Sequence, residues 1–116
     1  MRRSKDRLTS VRDARTLFAP AEFEWDDRKA AANSAKHGIP FEAAMEVFRD
    51  PRRTETPDDR RDYGEDRFVA VGAVDGVAIS VVYTRRGDVC RIISARRASR
   101  RERVDYGDRS KESGSG

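Results

Sequence analysis

Arginines are the residues of this sequence whose number and spacing favour a definite chemistry. Six of them fall in the stretch RIISARRASRRER, from Arg91 to Arg103, and all but four of the 25 cationic side chains of the chain are arginines. A planar guanidinium can bind a phosphate through two parallel hydrogen bonds, whereas the lysine ammonium acts as a point charge. The pattern therefore favours a phosphate-rich partner, although a GC-rich genome would raise the arginine content in the same way.

Several of these arginines are expected to meet on one surface. Arg91 lies in a predicted strand and would share a face with Ile93 and Ala95, where a charged side chain needs a partner or a pocket. If the predicted strands pair in order, the following residues converge on an exposed sheet surface: Glu65, Arg67, Tyr83, Arg91, Arg96 and Arg97. Guanidiniums with a carboxylate and a phenol suit RNA cleavage by the 2′-hydroxyl, which requires proton transfer and stabilisation of a phosphorane but no metal. The alternative is a structural network of Glu–Arg pairs across the strands.

His37 is the one histidine of the chain and the first candidate for proton transfer near neutral pH. Its place in the motif KHG, beside Lys36, equally fits two cations that stabilise the end of a helix. The single Cys90 and the scattered carboxylates form no metal-ligand set with a recognisable spacing, so no metal or other cofactor is expected. Neither a phosphate-binding glycine loop nor a GxSxG motif is present.

The pattern of the sequence predicts one α+β domain with helices on a face of an antiparallel sheet. Asp26 and Gly38 should bound a first helix, Pro40 should open a second, and Ser99 with Glu102 should cap a short third helix over 100–106. Strands are predicted at 22–25, 67–74, 77–84 and 89–95, with a long polar loop at 52–66. We expect a flexible basic arm at 1–21, a folded domain at 22–106 and a flexible tail at 107–116.

Composition limits the function classes. With 116 residues, 36% hydrophobic and 40% charged, the chain has room for a single small core. The net charge of +4 is unevenly distributed, since residues 41–67 sum to −3 and residues 85–111 to +6. A basic region beside an acidic one is compatible with a polyanionic partner. Neither a membrane-spanning run nor a signal peptide is recognisable, so a cytoplasmic location is expected.

The motifs occur in an order that resembles a known family. They are FEWD (23–26), KHG (36–38), FEAAMEVFRDP (41–51), GEDRFVAVG (64–72), VVYT (81–84) and RIISARRASRRERVDY (91–106). Together they resemble the BrnT family, the toxin half of bacterial type II toxin–antitoxin systems. The resemblance covers about 23–106 and implies a RelE-like fold and a metal-independent ribonuclease that blocks translation. It also implies a BrnA-like antitoxin, through which alone the complex would bind operator DNA.

The same resemblance suggests which residues handle RNA. As a hypothesis, His37 or Glu65 takes the 2′-hydroxyl proton and Tyr83 positions a base or sugar. Arg67 and Arg91 complete the predicted catalytic set, and substrate binding is assigned to Lys36, Ser94, Arg96 and Arg97. Typical members carry lysine where this chain has Arg97, so that position keeps its charge but not its geometry. Two other hypotheses stay open, namely a module that binds antitoxin or nucleic acid without catalysis, and an unrelated enzyme for an acidic metabolite.

Overall fold

The structure, a computed structural model, describes residues 17–58 and 64–115, with side chains to residue 107. In these ranges the chain forms five strands and three helices, which confirms the predicted α+β class. In chain order they are β1 (Glu22–Glu24), α1 (Asp27–His37), α2 (Phe41–Val47), β2 (Thr54–Pro57), β3 (Phe68–Val74), β4 (Val77–Arg86), β5 (Val89–Arg97) and α3 (Arg100–Ser115).

The five strands form one sheet in the order β1-β5-β4-β3-β2. Strands β2 to β5 pair antiparallel with their neighbours, but β1 runs parallel to β5 and sets Glu24 beside Arg91. The expectation of a wholly antiparallel sheet is therefore wrong, and the sheet is mixed. Strand β2 lies inside the predicted loop 52–66 because Thr54–Pro57 carries no apolar alternation and becomes a strand only by pairing with β3.

Helix α1 begins and ends where the sequence predicts, and α2 begins after Pro40 as predicted. Asp26 caps α1 by accepting hydrogen bonds from the backbone N–H groups of Arg28 and Lys29, at 2.8 and 3.2 Å. Gly38 ends α1 with a left-handed φ of 71°. Both helices pack on one face of the sheet, and the core between the two layers consists mainly of Phe41, Ala44, Val47, Phe48, Ala70, Ile79, Val81, Tyr83, Cys90, Ile92 and Ala95.

A β-bulge in β5 changes which of its residues face the core. Tyr83 of β4 pairs with Ile92, whereas the preceding Val82 pairs with Ser94, so Ile93 is the extra residue. After Ile93 the alternation shifts by one position. Ala95 is therefore fully buried on the helix side of the sheet, and the predicted shared face of Arg91 and Ala95 is wrong.

Helix α3 packs on the other face of the sheet. The predicted capping box is confirmed, since Ser99 and Glu102 exchange hydrogen bonds of 2.8 and 3.2 Å between side chain and backbone. Tyr106 donates a 2.5 Å hydrogen bond to Asp50 and so fixes the helix above the edge of β3. The helix runs to Ser115 rather than to the predicted 106, because a single glycine such as Gly107 does not by itself end a helix.

The segment before β1 also contacts the domain. Most of the predicted arm, residues 1–16, lies outside the described residues. Within the remainder, the Phe18 ring stacks on Tyr83 with centroids 5.9 Å apart, and the Ala21 N–H donates to the Asp88 carbonyl at 2.7 Å. Residues 17–21 thus pack against the same domain as residues 22–106.

Candidate functional site

The sheet face opposite α1 and α2, here called the open face, carries most of the predicted phosphate-binding residues. Arg91, Ser94 and Arg96 of β5 lie on it together, because the bulge at Ile93 shifts the last two to the side of the first. Arg67 directly precedes β3, and its alternation with the core-facing Phe68 assigns it to the same face.

The register of the strands arranges these residues in rows. Arg91 lies opposite Thr84 of β4. On the other side of β4, Phe68 pairs with Tyr83, so the same register places the preceding residue, Arg67, opposite Thr84 as well. The Cα atoms of Arg67 and Arg91 are thus two strand spacings, or about 10 Å, apart. Thr84 is buried between them, and its hydroxyl donates to the Asp66 carbonyl at 2.8 Å.

Arg67, Arg91 and Arg96 on the open face each have a carboxylate partner. Arg67 Nε lies 3.3 Å from Glu65, and Arg91 Nη1 lies 3.1 Å from Glu24. Arg96 makes a two-pronged pair with Glu102, at 2.8 and 3.1 Å. The arginines for which phosphate binding is predicted therefore also form Glu–Arg ion pairs between strands or between a strand and a helix. An account of phosphate binding has to include these pairs.

Glu102 is the most strongly held of these carboxylates. Burial acts to raise its pKa, but hydrogen bonds from Arg96, the Ser99 backbone and Ser80 outweigh burial and keep the pKa below its ordinary value. Glu102 therefore stays ionised on the underside of α3 and fixes the Arg96 guanidinium against the sheet. The prediction that Glu102 has a structural role agrees with this geometry.

Tyr83 does not lie on the open face, so the expectation that it joins an exposed arginine surface is wrong. Its side chain is fully buried on the helix side, since it pairs with Phe68 and Ile92, which both face the core. The ring contacts Phe18, Phe48 and Phe68 at centroid distances between 5.0 and 5.9 Å. Burial raises the pKa of the phenol well above its ordinary value, which removes it from proton transfer near neutral pH.

The remaining predicted residues lie at the end of β5 and of α1. Arg97 pairs with Ile79 and so points to the opposite side from Arg96, although it is exposed at the end of the strand. Lys36 and His37 are exposed in the last turn of α1. Neither of these two side chains makes a hydrogen bond to another residue in the described part of the chain.

Asn33 connects α1 to the edge of β5, a contact that the sequence does not predict. Its side chain is buried and spans the backbone of Ala95, accepting from the N–H at 3.0 Å and donating to the carbonyl at 2.8 Å. A second hydrogen bond from the same amide nitrogen reaches the Ile39 carbonyl at 2.9 Å. Asn33 therefore continues the edge of β5 where β1 ends. His37 follows Asn33 by four residues, so the two lie on the same face of α1, one helical turn apart.

A second group of charges, also not predicted, lies on the helix side of the sheet. Glu55 of β2 is almost fully buried and accepts from Arg53 at 2.6 Å and from Arg85 at 3.1 Å. The backbone of Phe18 completes the group by donating to Glu55 and accepting from Arg53. A buried carboxylate requires such partners, and here they hold residues 17–21 to the sheet. The sequence does not predict this buried group of charges, because the polar residues around β2 are typical of an exposed loop.

The described residues contain no group of three or more His, Cys, Asp or Glu side chains that could hold a metal ion. Cys90 is buried, and burial raises the pKa of its thiol to about 12, so it is not a reactive thiolate. Among the described helices, none has the length and apolar character that crossing a membrane requires.

Comparison with known proteins agrees with the family resemblance that the sequence motifs indicate. No curated protein matches the chain. A family model described as "Ribonuclease toxin, BrnT, of type II toxin-antitoxin system" matches residues 25–102, which include β2 to β5, α1, α2 and the capping box of α3. The match covers more than half of the chain, and the chain therefore belongs to the BrnT family of ribonuclease toxins of type II toxin–antitoxin systems.

Proposed function

We propose that this BrnT-family chain is a RelE-like, metal-independent endoribonuclease that inhibits translation in the cytoplasm and is neutralised by a BrnA-like antitoxin. The observation that carries the proposal is the placement of Arg67, Arg91 and Arg96 on one sheet face. Guanidiniums on a rigid sheet form a preorganised set of donors for a phosphate whose negative charge increases in the transition state.

The reaction proposed is attack of the RNA 2′-hydroxyl oxygen on the adjacent phosphorus. The new 2′-O–P bond forms as the P–5′-O bond breaks, so one proton leaves the 2′-hydroxyl and one reaches the 5′-oxygen. His37 or Glu65 is the proposed base. Glu65 pairs with Arg67 at 3.3 Å, and His37 is exposed in the last turn of α1. This chemistry requires charge stabilisation and proton transfer, and the arginines supply the first without a metal.

Ser94 and the valines between the arginines provide the rest of the proposed surface. Ser94 is only partly buried and pairs with Val82, which in turn pairs with Val69. A sugar or base would lie on these side chains while its phosphate contacts the arginines. Lys36 and Arg97 are proposed to contact RNA outside this surface, and Tyr83 supports the surface from below rather than touching RNA.

The proposed antitoxin would cover the open face with acidic side chains. Charge complementarity of this kind accelerates association and excludes RNA from the same surface. Expression of the chain should arrest growth, and co-expression of the neighbouring antitoxin gene should relieve the arrest. DNA should bind only to the complex, since the DNA-reading domain is proposed to reside in the antitoxin.

The decisive experiment is cleavage of single-stranded RNA by the purified chain in the presence of EDTA, with DNA of the same sequence as the control. We expect RNA fragments ending in a 2′,3′-cyclic phosphate and no cleavage of DNA. Arg91→Ala should lower the rate about 100-fold, by the magnitude typical for loss of one transition-state donor. Arg49→Ala removes an exposed arginine outside the open face and should leave the rate unchanged.

Three results would contradict the proposal in different ways. Loss of cleavage with EDTA would refute the metal-free mechanism. Full activity of Arg91→Ala would remove the open face from the reaction. Tight, salt-dependent RNA binding without cleavage or growth arrest would support a non-catalytic binding module instead.

A further inference from the structure

The arginines of the open face differ in how their charge is balanced. Within residues 17–58 and 64–107, Arg67 pairs with Glu65 and Arg96 pairs with Glu102, one cation with one anion in each case. The third group has two cations for one anion, because Glu24 accepts from both Arg91 and Arg86. Among the three groups, it is the one with a positive charge left over for a polyanion.

The position of Glu24 follows from the short strand β1. Parallel pairing sets Glu24 directly beside Arg91, at the outer edge of the sheet. Arg86, at the end of β4, lies on the same face as Thr84, because the two are separated by one residue, Arg85, which points to the other side. One oxygen of Glu24, Oε2, lies 3.1 Å from Nη1 of Arg91 and 3.5 Å from Nη1 of Arg86. These two nitrogens are therefore less than about 7 Å apart.

This arrangement orients the two guanidiniums without using up their donors. Each guanidinium has five N–H groups, and Glu24 contacts only one nitrogen of each. A phosphodiester that accepts hydrogen bonds of about 2.8 Å from both sides fits between two such groups. The ion pairs are 32% to 56% exposed on the arginine side, so they contribute little to stability. The effect proposed for these pairs is to orient two long side chains.

We propose that Glu24 is a positioning residue that holds Arg91 and Arg86 as a paired clamp for one phosphodiester group, which makes Arg86 a further substrate-binding residue. The proposal rests on the RNA cleavage proposed above, and it assigns the substrate contact to the arginines and not to Glu24. Because the clamp is preorganised, less side-chain entropy is lost when the phosphate binds and the transition state forms.

The first experiment compares Glu24→Gln with Glu22→Gln in single-turnover RNA cleavage. Glu22 is a matched control, since it lies on the same strand and face, is exposed and pairs with no arginine of the described residues. We expect Glu24→Gln to lower kcat about 10- to 100-fold with KM unchanged or lower, because orientation is lost while the surface gains positive charge. Glu24→Asp should recover part of kcat. Equal rates for the two glutamine variants would overturn the proposal.

The second experiment measures binding of a non-cleavable 2′-O-methyl RNA as a function of salt. Arg86→Ala should reduce the slope of log K against log salt by about 0.7, as expected for the loss of one phosphate contact on a single strand. Arg49→Ala should leave the slope unchanged. An unchanged slope for Arg86→Ala would remove Arg86 from the clamp.

A third measurement separates failure of the clamp from failure of the proposed function. In nitrogen-15 spectra of the wild-type chain, the Nε–H signals of Arg91 and Arg86 should show restricted motion that Glu24→Gln abolishes. If wild type does not cleave RNA but both arginines are restricted and the salt slope falls in Arg86→Ala, the ribonuclease proposal fails and the clamp stands as a phosphate-binding site. If the two arginines are equally mobile in wild type and Glu24→Gln, the positioning role is refuted whatever the activity.

Discussion

Replacement of Glu102 by alanine should destabilise the chain far more than its place on a partly exposed helix suggests. Glu102 accepts hydrogen bonds from Arg96 at 2.8 and 3.1 Å, from the Ser99 N–H at 2.8 Å and from the Ser80 hydroxyl at 3.3 Å. These contacts join α3 to β4 and β5 of the sheet. Glu102→Ala removes all of them and leaves the buried Ser80 hydroxyl without this partner.

The expected loss follows from two contributions. Loss of the capping box costs about 1 kcal/mol. The two-pronged pair with Arg96 contributes roughly another 1 kcal/mol, since its side chains are 36% and 23% exposed and solvent screens part of the attraction. A total of roughly 2 kcal/mol corresponds to a decrease in Tm of roughly 8 °C for a domain of this size.

The contribution of Glu102 to the free energy of unfolding should depend on pH in a characteristic way. The pKa of Glu102 in the folded chain lies below its ordinary value of 4.5 because hydrogen bonds to the charged form outweigh burial. Its contribution is thus fully present above pH 4.5 and is lost as the pH falls through the lowered value. Urea unfolding should show a difference between wild type and Glu102→Gln at neutral pH that decreases as the pH falls below 4.5.

Glu46→Ala serves as the control for this prediction. Glu46 forms a 3.5 Å pair with Arg49, whose side chain is 80% exposed, and its removal should change stability by less than about 0.5 kcal/mol. A double-mutant cycle of Glu102 with Arg96 should give a coupling energy of about 1 kcal/mol. Similar stabilities for Glu102→Ala and Glu46→Ala, or no coupling to Arg96, would refute the reasoning.

Three further substitutions test the core beneath the open face. Gly72→Ala should destabilise the chain by about 1–3 kcal/mol in urea unfolding, since the added β-carbon would lie 3.1 Å from both the side chain and the carbonyl of Val47. Asn33→Ala should cost about 2–3 kcal/mol, because the Ala95 N–H and carbonyl lose their partner, and an effect below about 1 kcal/mol would contradict that role. Tyr83→Phe should retain RNA cleavage and lower stability by about 1 kcal/mol, since its buried hydroxyl accepts a long 3.4 Å hydrogen bond from Arg85 and also interacts with Glu55; a cleavage rate 100-fold below wild type would restore Tyr83 to the reaction.

Local signals predicted the helices well because their ends are determined by neighbouring residues. Asp26 and Gly38 bound α1, and Ser99 with Glu102 begins α3, through contacts within four residues along the chain. Strand β2 escaped prediction for the opposite reason. Its Thr54–Pro57 pairs only with residues of β3 more than ten positions away, and its own composition is that of a loop.

The faces of β5 could not be read from alternation alone. A regular strand would place Arg91 on the same side as Ala95 and on the opposite side from Ser94 and Arg96. The bulge at Ile93 reverses that relation and brings both arginines to the open face. Nothing near Ile93 in the sequence marks the bulge, because it arises from how β5 pairs with Val82 and Tyr83 of the neighbouring strand. The candidate surface thus contains the predicted arginines for a reason that the sequence did not reveal.

The carboxylates on the open face change how its basic character should be understood. The surplus of cations over residues 85–111 suggests a uniformly positive surface, yet Glu24, Glu65 and Glu102 each neutralise one arginine there. A rim of paired arginines binds a polyanion only where donors or net charge are left over. Glu102 accepts from both terminal nitrogens of Arg96 and neutralises its charge, so Arg96 contributes less to phosphate binding than Arg91 does. The edge formed by β1, β4 and β5 retains both free donors and net charge, and the first phosphate contact of an RNA strand is therefore expected at that edge.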